Sequence, residues 1–308
     1  MGTREFHECV IIGAGPAGLG AALYASRAGI EACVLEKLSP GGQVLTTDWV
    51  DNYLGFEQGI AGYELIEHMK AHADRFGASF LSKEVSTIRG DANQGFDLHF
   101  ATNEIINTRA VIVATGARPK QLNCPGEQEL TGKGVSYCAT CDGPFFKDMD
   151  IAVVGGGDSA CQEALFLTKF AKRIFLVHRR RELRAVKTLQ DKVLKHPKIE
   201  PIWDSVVESI GGENEVEYCM LRNVHTGEVR ELKVKGVFIF IGIHPNTELV
   251  RGLVDLDDQG FIVTNEWMET NVPGIFAAGD CRSKPLRQII TAVSDGATAA
   301  YGVKHRLL

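Results

Sequence analysis

Glu8-Cys9-Val10-Ile11-Ile12-Gly13-Ala14-Gly15-Pro16-Ala17-Gly18 is the stretch whose reading decides the fold. Residues 8 to 13 read as a short buried strand, and the Ala- and Leu-rich sequence running to about Ala28 reads as a helix. Between them lies Gly13-x-Gly15-x-x-Gly18. In a strand-turn-helix setting these glycines give a tight turn, a close backbone approach to a pyrophosphate and a helix N-terminus facing the phosphates. Pro16 falls where a first-turn proline is tolerated. A second strand, 31 to 36, ends in Glu36, at the register where a carboxylate holds a pair of ribose hydroxyls.

The same grammar returns from Asp150. Ile151 to Val154 is a strand, Gly155-x-Gly157-x-x-Ala160 is the turn, and a helix carrying Asp158 and Ser159 in its first turn runs to about Phe170. A strand at 173 to 177 then leads to His178, Arg179, Arg180, Arg181 and Arg184. His178 stands at the same offset from Gly155 as Glu36 does from Gly13. An acid at that register suits a ribose with a free 2'-hydroxyl, whereas arginines suit a 2'-phosphate, which they hold with forked donors. Two different dinucleotides follow, with NADP(H) at the second turn. The alternative for the arginines is a solvated helix start, and His178 either helps hold the phosphate or simply ends the strand.

Val111 to Pro119 and Val237 to Pro245 also resemble each other, each an apolar strand closing on a glycine with proline three residues later. A β-rich stretch precedes each, near 80 to 109 and 199 to 236, and Gly274 to Cys281 adds one more strand ending in Gly279-Asp280. The expected fold is α/β: two related dinucleotide-binding domains, each a three-layer arrangement around a parallel sheet, the second inserted into the first. The first would comprise residues 1–118 and 247–308, the second residues 119–246.

Cys138-Ala139-Thr140-Cys141-Asp142-Gly143 precedes the second turn. Two thiols at this spacing close a small disulfide ring and commonly include one thiolate that is competent near neutrality. Asp142 follows as a proton donor or acceptor. The competing readings are a zinc corner or inert thiols, but a closed zinc site needs four ligands, and the other six cysteines are scattered singly. At 308 residues, 44% hydrophobic, 23% charged and with a net charge of -6, the chain reads as a soluble globular protein with no bias toward nucleic acid. No run approaches the roughly 20 apolar residues that span a bilayer, and the N-terminus shows no export signal. A reducing, cytoplasmic setting with one working CxxC fits the cysteine usage. The first turn is then read as an FAD site, because hydride arrives from a nicotinamide as two electrons and a flavin passes them to a disulfide. Nicotinamide site and disulfide both travel on the inserted domain, so that domain is expected to rotate between two poses.

These residues, together with Gly41-Gly42-Gln43, Ala114-Thr115-Gly116, His178-Arg179-Arg180 and Gly279-Asp280, resemble the low-molecular-weight bacterial-type thioredoxin reductases over almost the whole chain. The resemblance implies a homodimeric FAD enzyme carrying electrons from NADPH to the disulfide of thioredoxin. It implies that Cys141 is the thiol nearest the flavin, Cys138 the one that attacks thioredoxin, and Asp142 the general acid. Ser159, Arg179, Arg180 and Arg184 would line the NADPH site. Gly279, Asp280, Arg287 and Gln288 would contact FAD, Asp280 near the ribityl chain, with Asn52 near the flavin. A helix following Asp295-Gly296-Ala297 would close the flavin pocket.

No metal site is expected. His68 and His72 have metal-binding spacing on a helix from 62 to 76 but no third ligand, and read as an exposed face. Cys161 reads as core, Cys281 as core or a flavin neighbour, and Phe145 and Phe146 as core or part of a docking surface, with core favoured. His244 belongs to the second crossing, and Arg181 receives no role. The rival functions are a ferredoxin-NADP reductase of the same fold, opposed by Cys138 and Cys141, and a ferredoxin-fed thioredoxin reductase, opposed by the arginines. A peroxidase-system reductase would carry an extra N-terminal redox domain. A non-catalytic flavin- or zinc-binding module lies outside the enzymes.

Overall fold

Cys9-Val10-Ile11-Ile12 is apolar without alternation, and such a run belongs in a parallel sheet covered on both faces. The computed structural model, which describes residues 5–47 and 49–307, shows this arrangement. Cys9 and Ile11 point into one apolar cluster with Val34, Ile112, Ala21 and Ala299. Val10 and Ile12 point into another on the opposite face, with Leu35, Val113, Phe96 and Leu98. Successive side chains on a strand alternate faces, so one strand feeds both cores.

The chain divides into two compact units, one of residues up to Arg118 and from His244 onward, the other Pro119–Ile243. The first is built on a seven-stranded sheet. Ser79–Ser82, Ala32–Glu36, Glu5–Ile12 and Ile105–Val113 lie side by side in parallel, and Ile275–Ala277 also pairs in parallel with Ile105–Val113. Gly95–Phe100 and Val85–Asp91 extend it antiparallel, so this sheet is mixed rather than wholly parallel. The helices Pro16–Arg27 and Ile289–Leu307 cover one face. Small residues allow their close crossing: a Cβ on Gly296 would lie 2.0 Å from the Ala17 carbonyl oxygen, and one on Gly20 would lie 2.8 Å from that of Val293.

The second unit holds a five-stranded, all-parallel sheet in the order Val135–Ser136, Gly236–Phe240, Asp150–Gly155, Arg173–Val177, Ile199–Ile202. Its strands again serve two cores, with Ala152, Val154 and Val177 on one face and Ile151, Val153 and Leu176 on the other. A separate antiparallel sheet of Ser205–Gly211, Tyr218–Asn223 and Val229–Lys233 accounts for the β-rich stretch before the second crossing. Residues 244 to 246, expected with the inserted domain, pack with the first unit. Asn246 explains this: its N–H donates to the Gly116 carbonyl at 3.0 Å, its side chain donates to the Thr115 carbonyl at 2.9 Å, and Thr115 Oγ1 donates to its carbonyl at 2.6 Å.

Candidate active site

Each glycine of the first turn answers a different demand. Gly13 has φ +105°, and a Cβ there would meet the Ala114 carbonyl oxygen at 2.5 Å; on Gly18 it would meet that of Gly13 at 1.8 Å. On Gly15 it would meet nothing within 4 Å, so this residue faces open space at the mouth of the turn. The Glu36 carboxylate is fixed beside it, accepting the Ala14 N–H at 2.9 Å on Oε2 and the Leu38 N–H at 3.0 Å on Oε1. Gly41 donates to the Ala14 carbonyl at 2.8 Å and brings Gly42, at φ +58°, against Gly15. The Gln43 amide donates to the Ala117 carbonyl.

Around this turn the first unit gathers several of the predicted side chains. Gly279, at φ +79°, packs against Ala17. Asn52 Nδ2 donates to Gln288 Oε1 at 3.0 Å. Asp280 Oδ1 and Arg287 Nε are buried with no hydrogen-bond partner among the described residues. Burial pushes the Asp280 carboxyl above its usual range, opposed by Lys284 and Arg287, and burial also lowers Arg287. Arg287 lies over the Phe261 ring, 4.0 Å from its centroid. Buried polar atoms without partners are costly. An acceptor and a donor left in this state, beside a glycine turn open at Gly15, fit a ligand that carries both a pyrophosphate and a chain of hydroxyls.

The sequence did not reveal what holds Gly279. Asp295, buried, accepts the Gly279 N–H at 3.1 Å, Arg282 Nη1 at 3.1 Å and Lys284 Nζ at 2.7 Å. The helix expected after Asp295-Gly296-Ala297 begins instead at Ile289, so Asp295 projects from its second turn. Its carboxylate is turned toward the Gly279 loop and does not cap a helix end.

The second turn repeats the first. A Cβ on Gly155, at φ +152°, would lie 2.4 Å from the Phe240 carbonyl oxygen and 2.6 Å from the Ala160 Cβ, while Gly157 faces open space. His178 packs under Gly156, where a Cβ would lie 2.3 Å from its ring. The ring is 5% exposed, and burial foremost, then the charges of Arg184 and Arg180, lower its pKa. Its Nε2 has no partner among the described residues. The arginine segment is laced to this turn by its backbone. Arg184 N–H donates to the Gly156 carbonyl at 2.6 Å, and Val186 N–H donates to Asp158 Oδ1 at 2.7 Å. Asp158 Oδ1 therefore holds the chain at this turn. Arg179, Arg180, Arg184 and Ser159 are exposed, and these arginines make no ion pair among the described residues. Arg181 alone is drawn aside, its Nε 2.8 Å from Asp204 Oδ2; Asp204 Oδ1 also meets His225 Nε2 at 3.2 Å.

Cys138 and Cys141 form a disulfide. The short helix Ala139–Asp142 places them one turn apart, and the Cys141 N–H points at Cys138 Sγ, 3.2 Å away. Asp142 is joined to the buried Ser136, whose Oγ lies 2.5 Å from Asp142 Oδ2. The remaining six thiols are unsuited to exchange. Burial pushes Cys9 and Cys219 up to about 12, and Cys33, Cys124, Cys161 and Cys281 up to about 11. Cys161 packs in the core, and Cys281 is wholly buried, 3.3 Å from the Val113 and Ala278 carbonyl oxygens. Phe146 meets Phe238 edge-on at 5.0 Å, but Phe145 is half exposed and is not core. His68 and His72 lie exposed on the helix Gly62–Arg75.

Two dinucleotide turns and a disulfide define the class of pyridine nucleotide-disulfide oxidoreductases. The model of the family described as "Pyridine nucleotide-disulphide oxidoreductase" matches residues 7–296. Thioredoxin reductase of Peptoclostridium acidaminophilum is 46% identical over 303 residues, covering 96% of each chain. That of Bacillus subtilis is 44% identical over 306 residues, covering 99% of this chain and 96% of its own. The crystal structure of thioredoxin reductase from Streptococcus pyogenes superposes with a TM-score of 0.94 at 44% identity, covering 99% of both chains. The chain belongs to the pyridine nucleotide-disulphide oxidoreductase family, among its bacterial-type thioredoxin reductases.

Proposed function

We propose that this protein is an NADPH-dependent thioredoxin reductase, with FAD at the first glycine turn, NADPH at the second and Cys138–Cys141 as the exchanging pair. The observation that carries this reading is one unit holding both a disulfide coupled to a carboxylic acid and a glycine turn flanked by three exposed arginines. When bound, FAD supplies a two-electron relay between nicotinamide and disulfide. Gly13, Gly15, Gly18, Pro16 and Ala17 form its pyrophosphate cradle, Glu36 its ribose clamp, and Asp280 and Arg287 the polar wall. Asn52, Gly42, Gln43, Thr115 and Gln288 complete the pocket. Arg179, Arg180 and Arg184 grip the NADPH 2'-phosphate, with Ser159 on the diphosphate.

In the reductive exchange, the Cys138 thiolate attacks a thioredoxin sulfur and forms a mixed disulfide. One thioredoxin thiolate leaves and takes a proton from Asp142. Cys141 passes its proton to the Asp142 carboxylate and, as thiolate, attacks Cys138 Sγ, closing the enzyme disulfide; the second thioredoxin sulfur leaves as a thiolate and takes that proton from Asp142. Two electrons and two protons pass to thioredoxin. Chain order further supports rotation of the second unit about its crossings at 118/119 and 243/244, because disulfide and nicotinamide turn share that unit. A crosslink across the units that left both half-reactions at full speed would rule this out. A homodimer in the cytoplasm completes the reading, and no helix among the described residues is long and apolar enough to cross a membrane.

Stopped-flow spectroscopy tests it. Wild type should bleach its flavin with NADPH and reoxidise with thioredoxin, whereas Cys138→Ser should bleach without passing electrons on. A flavin that NADPH never bleaches would point to another donor, such as ferredoxin.

A further inference from the structure

We propose that Ser136 is a positioning residue of the dithiol centre: one hydroxyl fixes the Asp142 carboxyl and the Cys138 main chain together, and so sets the pH range over which Asp142 can supply a proton. The proposal rests on the reading of Asp142 as the acid given above.

Ser136 lies on the strand Val135–Ser136, paired in parallel with Phe238, and is 4% exposed. A buried hydroxyl has one proton to give and two lone pairs. Two acceptors lie within reach of Ser136 Oγ, Asp142 Oδ2 at 2.5 Å and the Cys138 carbonyl at 3.3 Å. The carboxylate is both nearer and charged, so it takes the proton. The same oxygen accepts the Cys138 N–H at 3.1 Å. Acid and outer cysteine therefore hang from a single atom on a rigid strand. Neither bond involves sulfur.

A donor aimed at a carboxylate favours its ionised form and holds its proton affinity down. The ionisable side chains on the elements around Asp142 are Cys138 and Cys141, which are thiols in the reduced enzyme, Tyr137 next to the strand, Asp158, Cys161 and Glu163 on the helix Asp158–Leu167, and Lys147 after the turn Gly143–Phe146. Tyr137 is committed to Glu127 and Asp158 to Val186. Burial raises both Cys161 and Glu163, disfavouring their charged forms. Ser136 is a donor that the fold aims at the acid.

The test follows reoxidation of the NADPH-reduced, FAD-loaded enzyme by thioredoxin between about pH 4 and 9.5, a range that reaches the ordinary carboxyl value of about 3.9, in wild type, Ser136→Ala, Ser136→Thr and Asp142→Asn. An acid stops working as pH rises through its pKa. Removing the donor raises that pKa, so the high-pH fall in rate should move upward by about 1 to 2 units in Ser136→Ala, the size of one charge-assisted hydrogen bond. Ser136→Thr keeps the hydroxyl and should return the fall to its wild-type position. The NADPH half-reaction of each variant reports folding and FAD loading. If Asp142→Asn is slow while Ser136→Ala keeps the wild-type profile, or Thr fails to restore a shifted one, the proposal is overturned and the acid reading survives. If Asp142→Asn matches wild type at every pH, the acid reading falls and the proposal falls with it.

Discussion

Asn52 and Gln288, 236 residues apart in sequence, are joined by one hydrogen bond from Nδ2 to Oε1 at 3.0 Å. It ties the segment after Gly42-Gln43 to the residue that precedes the helix Ile289–Leu307. Both residues are at least partly exposed, so the bond contributes about 0.5 to 1.5 kcal/mol at most, and its importance lies in the shape of the pocket wall. Asn52→Ala and Gln288→Ala should each weaken FAD binding severalfold. The double variant should lose less than the two single losses combined. Titration of apoprotein with FAD in a double-mutant cycle checks this, and strict additivity would mean the two side chains act separately.

Asp295 holds the other side of the pocket. Lys284 and Arg282 have side chains 5% and 13% exposed, and both are compensated by this carboxylate. Removing one partner of a buried pair strands the other charge, which typically costs about 3 to 5 kcal/mol. Asp295→Ala should therefore lower the melting temperature markedly and release FAD, since the Gly279 N–H loses its acceptor as well. Lys284→Met combined with Asp295→Asn should recover part of the stability, since the Arg282 guanidinium still lacks its carboxylate. Differential scanning calorimetry separates the two outcomes.

What could be read in the sequence and what could not divide along physical lines. Gly13, Gly15 and Gly18 were legible because a missing Cβ is a backbone demand, local and specific to one residue type. The paired register of Glu36 and His178 was legible because the strands that carry them repeat one unit. Asp295 was not, because nothing within a few residues distinguishes a buried carboxylate on an Ala-rich helix from a solvated one. Its partners, at Gly279, Arg282 and Lys284, arrive from a separate loop. Arg181 stands among identical neighbours and is set apart only by Asp204, whose φ of +50° no pattern announces. The two antiparallel strands that make the first sheet mixed were legible as β but not as members of that sheet. Pairing is a long-range choice.

The arginine segment supports a specificity prediction. Arg180 is exposed beside the open Gly157 turn, with the backbone around it fixed by the Arg184–Gly156 and Val186–Asp158 bonds. Arg180→Ala should remove about one charge-assisted contact, roughly 1.5 to 3 kcal/mol, and so raise the KM for NADPH by about 10- to 100-fold while leaving NADH unchanged. Steady-state kinetics with both nucleotides decides it, and equal losses for the two would remove the 2'-phosphate assignment. Arg181→Ala, in contrast, should change the NADPH KM little, because that guanidinium is engaged by Asp204.

His178 gives the second turn a pH dependence whose sign follows from its burial. Its pKa is lowered in the folded protein, by desolvation first and by Arg184 and Arg180 next. The unfolded chain therefore binds the proton more readily than the folded one. Folded-state stability from this group is complete above the ordinary histidine value of about 6.5 and declines as pH falls below it. Wild type should thus lose melting temperature between about pH 6.5 and 5, and His178→Gln, which carries no titrating group, should lose less over the same range. A bound 2'-phosphate would oppose the trend, because an anion beside the ring favours its protonated form. Melting curves recorded from pH 5 to 8, with and without NADP+, measure both effects. Identical pH slopes in wild type and His178→Gln would show that the fall in stability arises elsewhere.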